Sequence, residues 1–137
     1  MGTDIQRDPA AVKTTVAPFL SVRHGARAVD FYKAAFGADE VFRIEAPSGE
    51  VVATLSVAGA EFWVADESPE HHNFSPESLG GGTVRMVLTV ADPDAMFARA
   101  LAAGAREVTA MKNDYGWRLG RVVDPFGHHW EIGHPLK

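Results

Sequence analysis

The sequence predicts an α+β domain built from two βαβββ modules. Three observations predict it: a strand, a helix and three strands occur in that order twice, a Pro-, Ser- and Gly-rich stretch separates the two series, and local sequence recurs at a fixed separation. Gly37-Ala38-Asp39-Glu40-Val41 is echoed 67 positions later by Gly104-Ala105-Arg106-Glu107-Val108, and Ala28/Ala95 and Ala35/Ala102 keep the same spacing.

In the first series, residues 14–22 (TTVAPFLSV) form an apolar, β-branched run. Pro18 cannot donate to a ladder, which assigns this strand to a sheet edge or a bulge. Residues 23–37 follow as a helix, with Val29, Tyr32 and Phe36 at helical spacing and Gly37 as the C-cap. DEVFRIEAP, VVATLSVAG and AEFWVADE read as three strands, broken at Pro47-Ser48-Gly49 and at Gly59. After the loop from Ser68 to Gly82 the order recurs, opening on the alternating strand TVRMVLTV. Asp92-Pro93-Asp94 then starts a helix with a carboxylate cap, a proline in the first turn and an acid near the positive end. This helix buries Phe97, Ala100 and Leu101 and stops at Gly104, and REVTAMK, RLGRVVD and HHWEIG complete the series. The domain plan is a loose tail over 1–13 and one domain over 14–135, divided into module one (14–67), a linker (68–82) and module two (83–135). One module cannot cover both faces of its own sheet, so the modules pair, within a chain or across a homodimer.

The composition fits this plan. A chain of 137 residues, 46% hydrophobic and 23% charged, is long enough for one self-sufficient core. A net charge of −5 offers no attraction to nucleic-acid phosphates or an anionic membrane and slightly favours cationic ligands. With no cysteine, disulfides, thiolate metal sites and cysteine nucleophiles are excluded. MGTDIQRDPA lacks the basic-then-apolar order of a signal peptide, and no apolar run is long enough to span a bilayer, so a cytoplasmic location is expected. No serine sits in a nucleophile elbow, and Gly80-Gly81-Gly82 precedes a strand rather than a phosphate-binding helix.

The element order, taken with Asp124-Pro125-Phe126-Gly127 between the last two strands and Glu131 on the final strand, resembles the vicinal oxygen chelate superfamily of glyoxalases, bleomycin-resistance proteins and extradiol dioxygenases. The segments VDFYKAAFGAD, SPESLGGGTV, ALAAGARE and YGWRLGRVVDPFGHHWEIG are similar to a glyoxalase-like branch related to phosphonate-operon proteins. The resemblance runs from about Thr14 to Pro135. It implies that each module is a curved mixed sheet packed by a helix, and that the two form a concave cleft.

Family enzymes place four metal ligands in that cleft, on strands one, four, five and eight, where a divalent ion polarises substrate oxygens. Carried over, these positions fall on Ala17, Trp63, Arg85 and Glu131, and Ala17–Arg85 and Trp63–Glu131 share a separation of 68 residues. Only Glu131 can ligate: alanine and tryptophan offer no donor atom, and guanidinium repels a cation. No cofactor is therefore expected. An alternative set, Glu61, His129 and Glu131, places each close pair on one strand face and would suit iron, manganese, zinc or nickel. Against it, side chains two apart on a strand stand roughly 6.5–7 Å apart.

The resemblance also implies that Phe19, Trp63 and Trp117 line the cleft beside Arg85 and Glu131, with Tyr115 at its mouth. Arg85 and Glu131 either anchor a ligand or pair with each other. Phe62 and Trp130, on the opposite strand faces, belong to the core; His129 sits at the rim, and His71-His72 is solvated. Aromatic faces with one cation and one anion suit a planar, amphipathic organic molecule. The expected function is metal-free binding by a homodimer of an aromatic natural product or antibiotic, for sequestration rather than catalysis. The alternative is a metal-dependent glyoxalase-like lyase, isomerase or dioxygenase on the shifted set; a metal-free acid–base enzyme would rely on Glu131.

Overall fold

The computed structural model describes residues 11–137, so most of the expected N-terminal tail lies outside the described residues. The chain order is β1 (Phe19–Val22), α1 (Gly25–Phe36), β2 (Asp39–Glu45), β3 (Val51–Val57), β4 (Ala60–Asp66), a short α2 (Pro76–Leu79), β5 (Arg85–Thr89), α3 (Pro93–Ala103), β6 (Arg106–Asp114), β7 (Trp117–Val123) and β8 (His129–Pro135). Two open four-stranded sheets result, ordered β1-β4-β3-β2 and β5-β8-β7-β6. In each, the first strand pairs in parallel with the last and the remaining pairs are antiparallel. The predicted repeat of two βαβββ modules is thus the architecture of the molecule. Among the described residues, no helix is long and apolar enough to cross a membrane.

Local chemistry accounts for the boundaries. β1 occupies a sheet edge and starts only after Pro18, whose carbonyl still accepts the Trp63 N–H at 2.9 Å. The predicted run over 14–22 is shortened because proline has no N–H with which to extend the ladder. Gly37 closes α1 in the left-handed conformation, φ 67°, with its N–H on the Lys33 carbonyl. Arg99 of α3 reinforces that end: its Nε donates to the Ala34 carbonyl at 2.7 Å, placing a cation at the negative pole of α1 and tying the two helices together. Asp92 caps α3 by accepting the Ala95 N–H at 3.1 Å. The segment 113–118 between the sixth and seventh strands is a tight hairpin. β6 runs on to Asp114, and Tyr115 and Gly116 turn the chain at φ 53° and 76°, the two positive values that match strand twist.

One hydrophobic core serves both modules. Helix α1 buries Ala28, Val29, Phe31, Tyr32, Ala35 and Phe36. The Tyr32 ring lies 5.3 Å from Phe62 of the first sheet and 5.5 Å from Trp130 of the second. Phe62 and Trp130 meet each other directly, edge to face, at 5.4 Å. Both are nearly inaccessible, as their place beside polar strand neighbours predicts. The two sheets therefore turn the same sides toward a common interior. Because side chains alternate along a strand, Glu61, Trp63, His129 and Glu131 project from the opposite sides, which face away from each other.

A buried carboxylate fastens this arrangement. Asp124, 4% exposed, accepts four donors: the Tyr32 hydroxyl at 2.5 Å, Trp130 Nε1 at 2.9 Å, and the N–H groups of Phe126 at 2.9 Å and His128 at 3.0 Å. The Asp-Pro-Phe-Gly turn of module two is thereby gripped by the helix of module one. Burial, and then the adjacent Asp124 charge, push the Tyr32 hydroxyl well above the usual tyrosine range.

Candidate functional site

On the outer face of the first sheet, strand register aligns Phe42, Thr54, Trp63 and Phe19 in one row. Trp63 stacks on Phe19, with centroids 5.5 Å apart and planes 15° from parallel, and meets Phe42 at 6.3 Å and 63°. Phe19 is 57% and Phe42 45% exposed, so this aromatic strip has no full cover among the described residues. Leaving such rings in water forgoes about 1.5–3 kcal/mol each, the gain from fully burying a side chain of this size. Contiguous apolar patches are seldom left exposed on folded chains, so this strip is the candidate contact surface of the first sheet. The structure thus brings the predicted Phe19 and Trp63 together. Phe42 was not anticipated as their neighbour, because a register shift between Glu40 and Phe42 sets which side chains of β2 face outward.

The outer face of the second sheet is charged. Glu131 lies opposite Val87 on one side and Arg121 on the other. Arg85, two residues before Val87, reaches Glu131 with Nε 2.6 Å from Oε2, so of the two arrangements open from sequence the direct ion pair is the one formed. Beside it a hollow of ≈ 250 Å³ is lined by Val87, Trp117, Leu119, Glu131 and Gly133, so Trp117 accompanies Glu131. Tyr115, at the tip of the β6–β7 turn, is 89% exposed. The six predicted residues therefore divide: Phe19 and Trp63 on one sheet, Arg85, Trp117 and Glu131 on the other, and Tyr115 at the hairpin tip.

The family's metal does not fit these residues. Arg85 occupies the only carboxylate among the four inherited positions, and among the described residues no group of three or more His, Asp or Glu side chains is placed to hold an ion. The alternative set of Glu61, His129 and Glu131 is not assembled within the chain. Glu61 lies with Ala17 and Arg85 along an apolar groove of ≈ 450 Å³ between the two modules, whose lining includes neither His129 nor Glu131. Burial first, then the charge of Arg121, pushes the His129 imidazole below the usual histidine range, and Arg106 adds to the effect. The positive charge of Arg121 beside His129 would repel a metal cation there as well.

Residues 13–132 match the family model of the glyoxalase/bleomycin resistance protein/dioxygenase superfamily. The uncharacterised protein Rv0887c of Mycobacterium tuberculosis (strain ATCC 25618 / H37Rv) is 43% identical over 131 residues, which span 92% of this chain and 77% of that protein. Among solved structures, TioX from Micromonospora sp. ML1 shares 29% identity with a TM-score of 0.71, over 90% of this chain and 100% of that one. The genomically encoded fosfomycin resistance protein FosX from Listeria monocytogenes superposes with a TM-score of 0.69 over 91% of this chain and 95% of its own, at 13% identity, a likeness of fold alone.

Proposed function

Since the chain belongs to the glyoxalase/bleomycin resistance protein/dioxygenase superfamily, we propose that it is a binding member of it: a homodimer that holds a planar aromatic natural product or antibiotic without metal chemistry. The Phe62–Trp130 contact carries this reading, because with those two rings packed together the aromatic row and the Trp117–Glu131 hollow lie on opposite faces and do not meet among the described residues. Two chains solve the problem together, the aromatic row of one opposing the Trp117–Glu131 hollow of its partner. The ligand stacks on Trp63 and Phe19, while Arg85 and Glu131 meet its polar groups. Binding is the function, and sequestration of the ligand its consequence.

The test uses complementation. Trp63→Ala should weaken a polycyclic aromatic antibiotic by about 2 kcal/mol, roughly thirtyfold, as loss of a central aromatic anchor does. Trp117→Ala should weaken it from the other wall. Mixed and allowed to exchange chains, the two variants should regain roughly a quarter of the wild-type sites by calorimetry, because half the dimers become mixed and each carries one intact cleft. No recovery on mixing would mean that each site lies within one chain. Metal analysis of protein purified without chelators separates this reading from the metal-dependent lyase, isomerase or dioxygenase. Well under one equivalent per chain is expected, and a full equivalent lost with Glu131→Ala would overturn the assignment.

A further inference from the structure

Two buried side-chain atoms lack any hydrogen-bond partner among the described residues, Arg121 Nε and His129 Nδ1. Both residues line one cavity of ≈ 220 Å³ at the end of the second sheet's outer face, shared with Thr83, Arg85 and His128. His128 is already engaged, its Nε2 at 2.9 Å from the Ser21 carbonyl. Arg85 touches Glu131 through Nε, and neither of its terminal nitrogens makes a hydrogen bond among the described residues. Arg121 forms no ion pair among them either. Arg106, on β6 opposite Val123, adds a third guanidinium to the same face. A chain of net charge −5 thus concentrates three arginines and a histidine around one carboxylate, the reverse of what its overall charge suggests.

Orphaned buried polar atoms are rare in folded proteins because each forgoes solvation without replacement, so the Arg121 Nε–H, an obligate donor, beside an unpartnered His129 Nδ1 points to an absent acceptor. A guanidinium offers a planar fork matched to a carboxylate or phosphoryl group. We propose that Arg121, His129 and Arg85 form a seat for a single oxyanion, and that the ligand of the proposed cleft is an aromatic or apolar molecule bearing one carboxylate or phosphoryl group. The inference rests on the cleft reading for the ligand's apolar part and stands independently for its acidic part. His129 contributes without being charged, since a neutral imidazole with a proton on Nδ1 donates one hydrogen bond.

The experiment compares 2-naphthoate with its neutral counterpart 2-naphthamide by calorimetry, and titrates inorganic phosphate against the Arg121 Nε–H and His129 ring signals by NMR. Naphthoate is expected to bind at least tenfold tighter than naphthamide. Arg121→Ala should abolish that preference and leave naphthamide unchanged, Arg121→Lys should keep part of it, and Arg27→Ala, on the exposed side of α1, should keep all of it. A preference for naphthoate with silent phosphate identifies a carboxylate ligand; phosphate shifts without that preference identify a phosphoryl one. Equal binding of the two naphthalenes together with silent phosphate sinks the oxyanion seat and leaves the aromatic cleft standing. Binding of neither naphthalene, with phosphate shifts lost in Arg121→Ala, upholds the seat and removes the aromatic cleft.

Discussion

Replacing Asp124 by alanine is expected to lower the stability of the fold by about 3–5 kcal/mol, a large share of the roughly 5–15 kcal/mol that holds a domain together. The carboxylate accepts four donors in a nearly dry interior, and its removal strands the Tyr32 hydroxyl, the Trp130 indole N–H and two backbone N–H groups at once. Each stranded donor costs about 1–3 kcal/mol, and the sum is less than additive because the turn relaxes and water enters. Tyr32→Phe removes one donor and leaves the carboxylate three, so it should cost only about 1–2 kcal/mol. Urea unfolding of both variants checks the order; a change below about 1 kcal/mol for Asp124→Ala would deny the buried network its role. The alkaline limb follows from the same contact. Since the folded Tyr32 hydroxyl titrates above its unfolded value of about 10, its contribution is intact below that pH and is lost as pH rises further. Tyr32→Phe should flatten that part of the stability profile.

Gly133→Ala is expected to be the most disruptive change of one methyl group. A Cβ at Gly133 would overlap the Arg118 carbonyl oxygen and stand 2.9 Å from Leu119 Cβ, both on the neighbouring β7. Backbone cannot step aside as a side-chain tip can, so β7 and β8 must part where they pair Leu119 with Gly133. Overpacking of this kind costs about 1–3 kcal/mol. It should also deform the hollow that Leu119 and Gly133 share with Trp117 and Glu131. The expected signature is a lower melting temperature together with weakened ligand binding, whereas Asp124→Ala chiefly lowers stability. A variant that melts and binds like the wild type would show that the strands accommodate the methyl group.

The architecture was legible because the chain states it twice. Alternation, helical spacing and caps such as Gly37, Asp92 and Gly104 are local, and local signals survive without knowledge of neighbours. Phe62 and Trp130 were assignable to the core by strand alternation once the resemblance had put Trp63 and Glu131 on the cleft side. The site was legible only in halves. Grouping Phe19 and Trp63 with Arg85 and Glu131 followed from the family resemblance, in which 68-residue separations relate Ala17 to Arg85 and Trp63 to Glu131, and it left open whether Arg85 and Glu131 pair with each other. That the halves face apart depends on a long-range contact between Phe62 and Trp130, which no local pattern encodes. Phe42 was missed because a bulge in β2 sets its face. Arg121 was not singled out, and His129 was read only as a rim residue or alternative metal ligand, because an unpartnered buried atom leaves no pattern in sequence and the net charge pointed the other way. Asp124 was placed correctly between the last two strands, but its grip on Tyr32 joins positions 92 residues apart.

The interior shared by the modules also governs how the chain comes apart. Tyr32, Phe62 and Trp130 belong to both halves, so neither half can melt while the other stays closed around the same rings. Two copies of one motif are thereby fused into a single cooperative unit, and amide protons of α1 and β8 should exchange through the same global opening. Module one produced alone, as residues 14–67, would bare Phe62 and the side of Tyr32 that meets Trp130. The duplication visible in the sequence is therefore not modularity: each repeat is the other's missing half of a core.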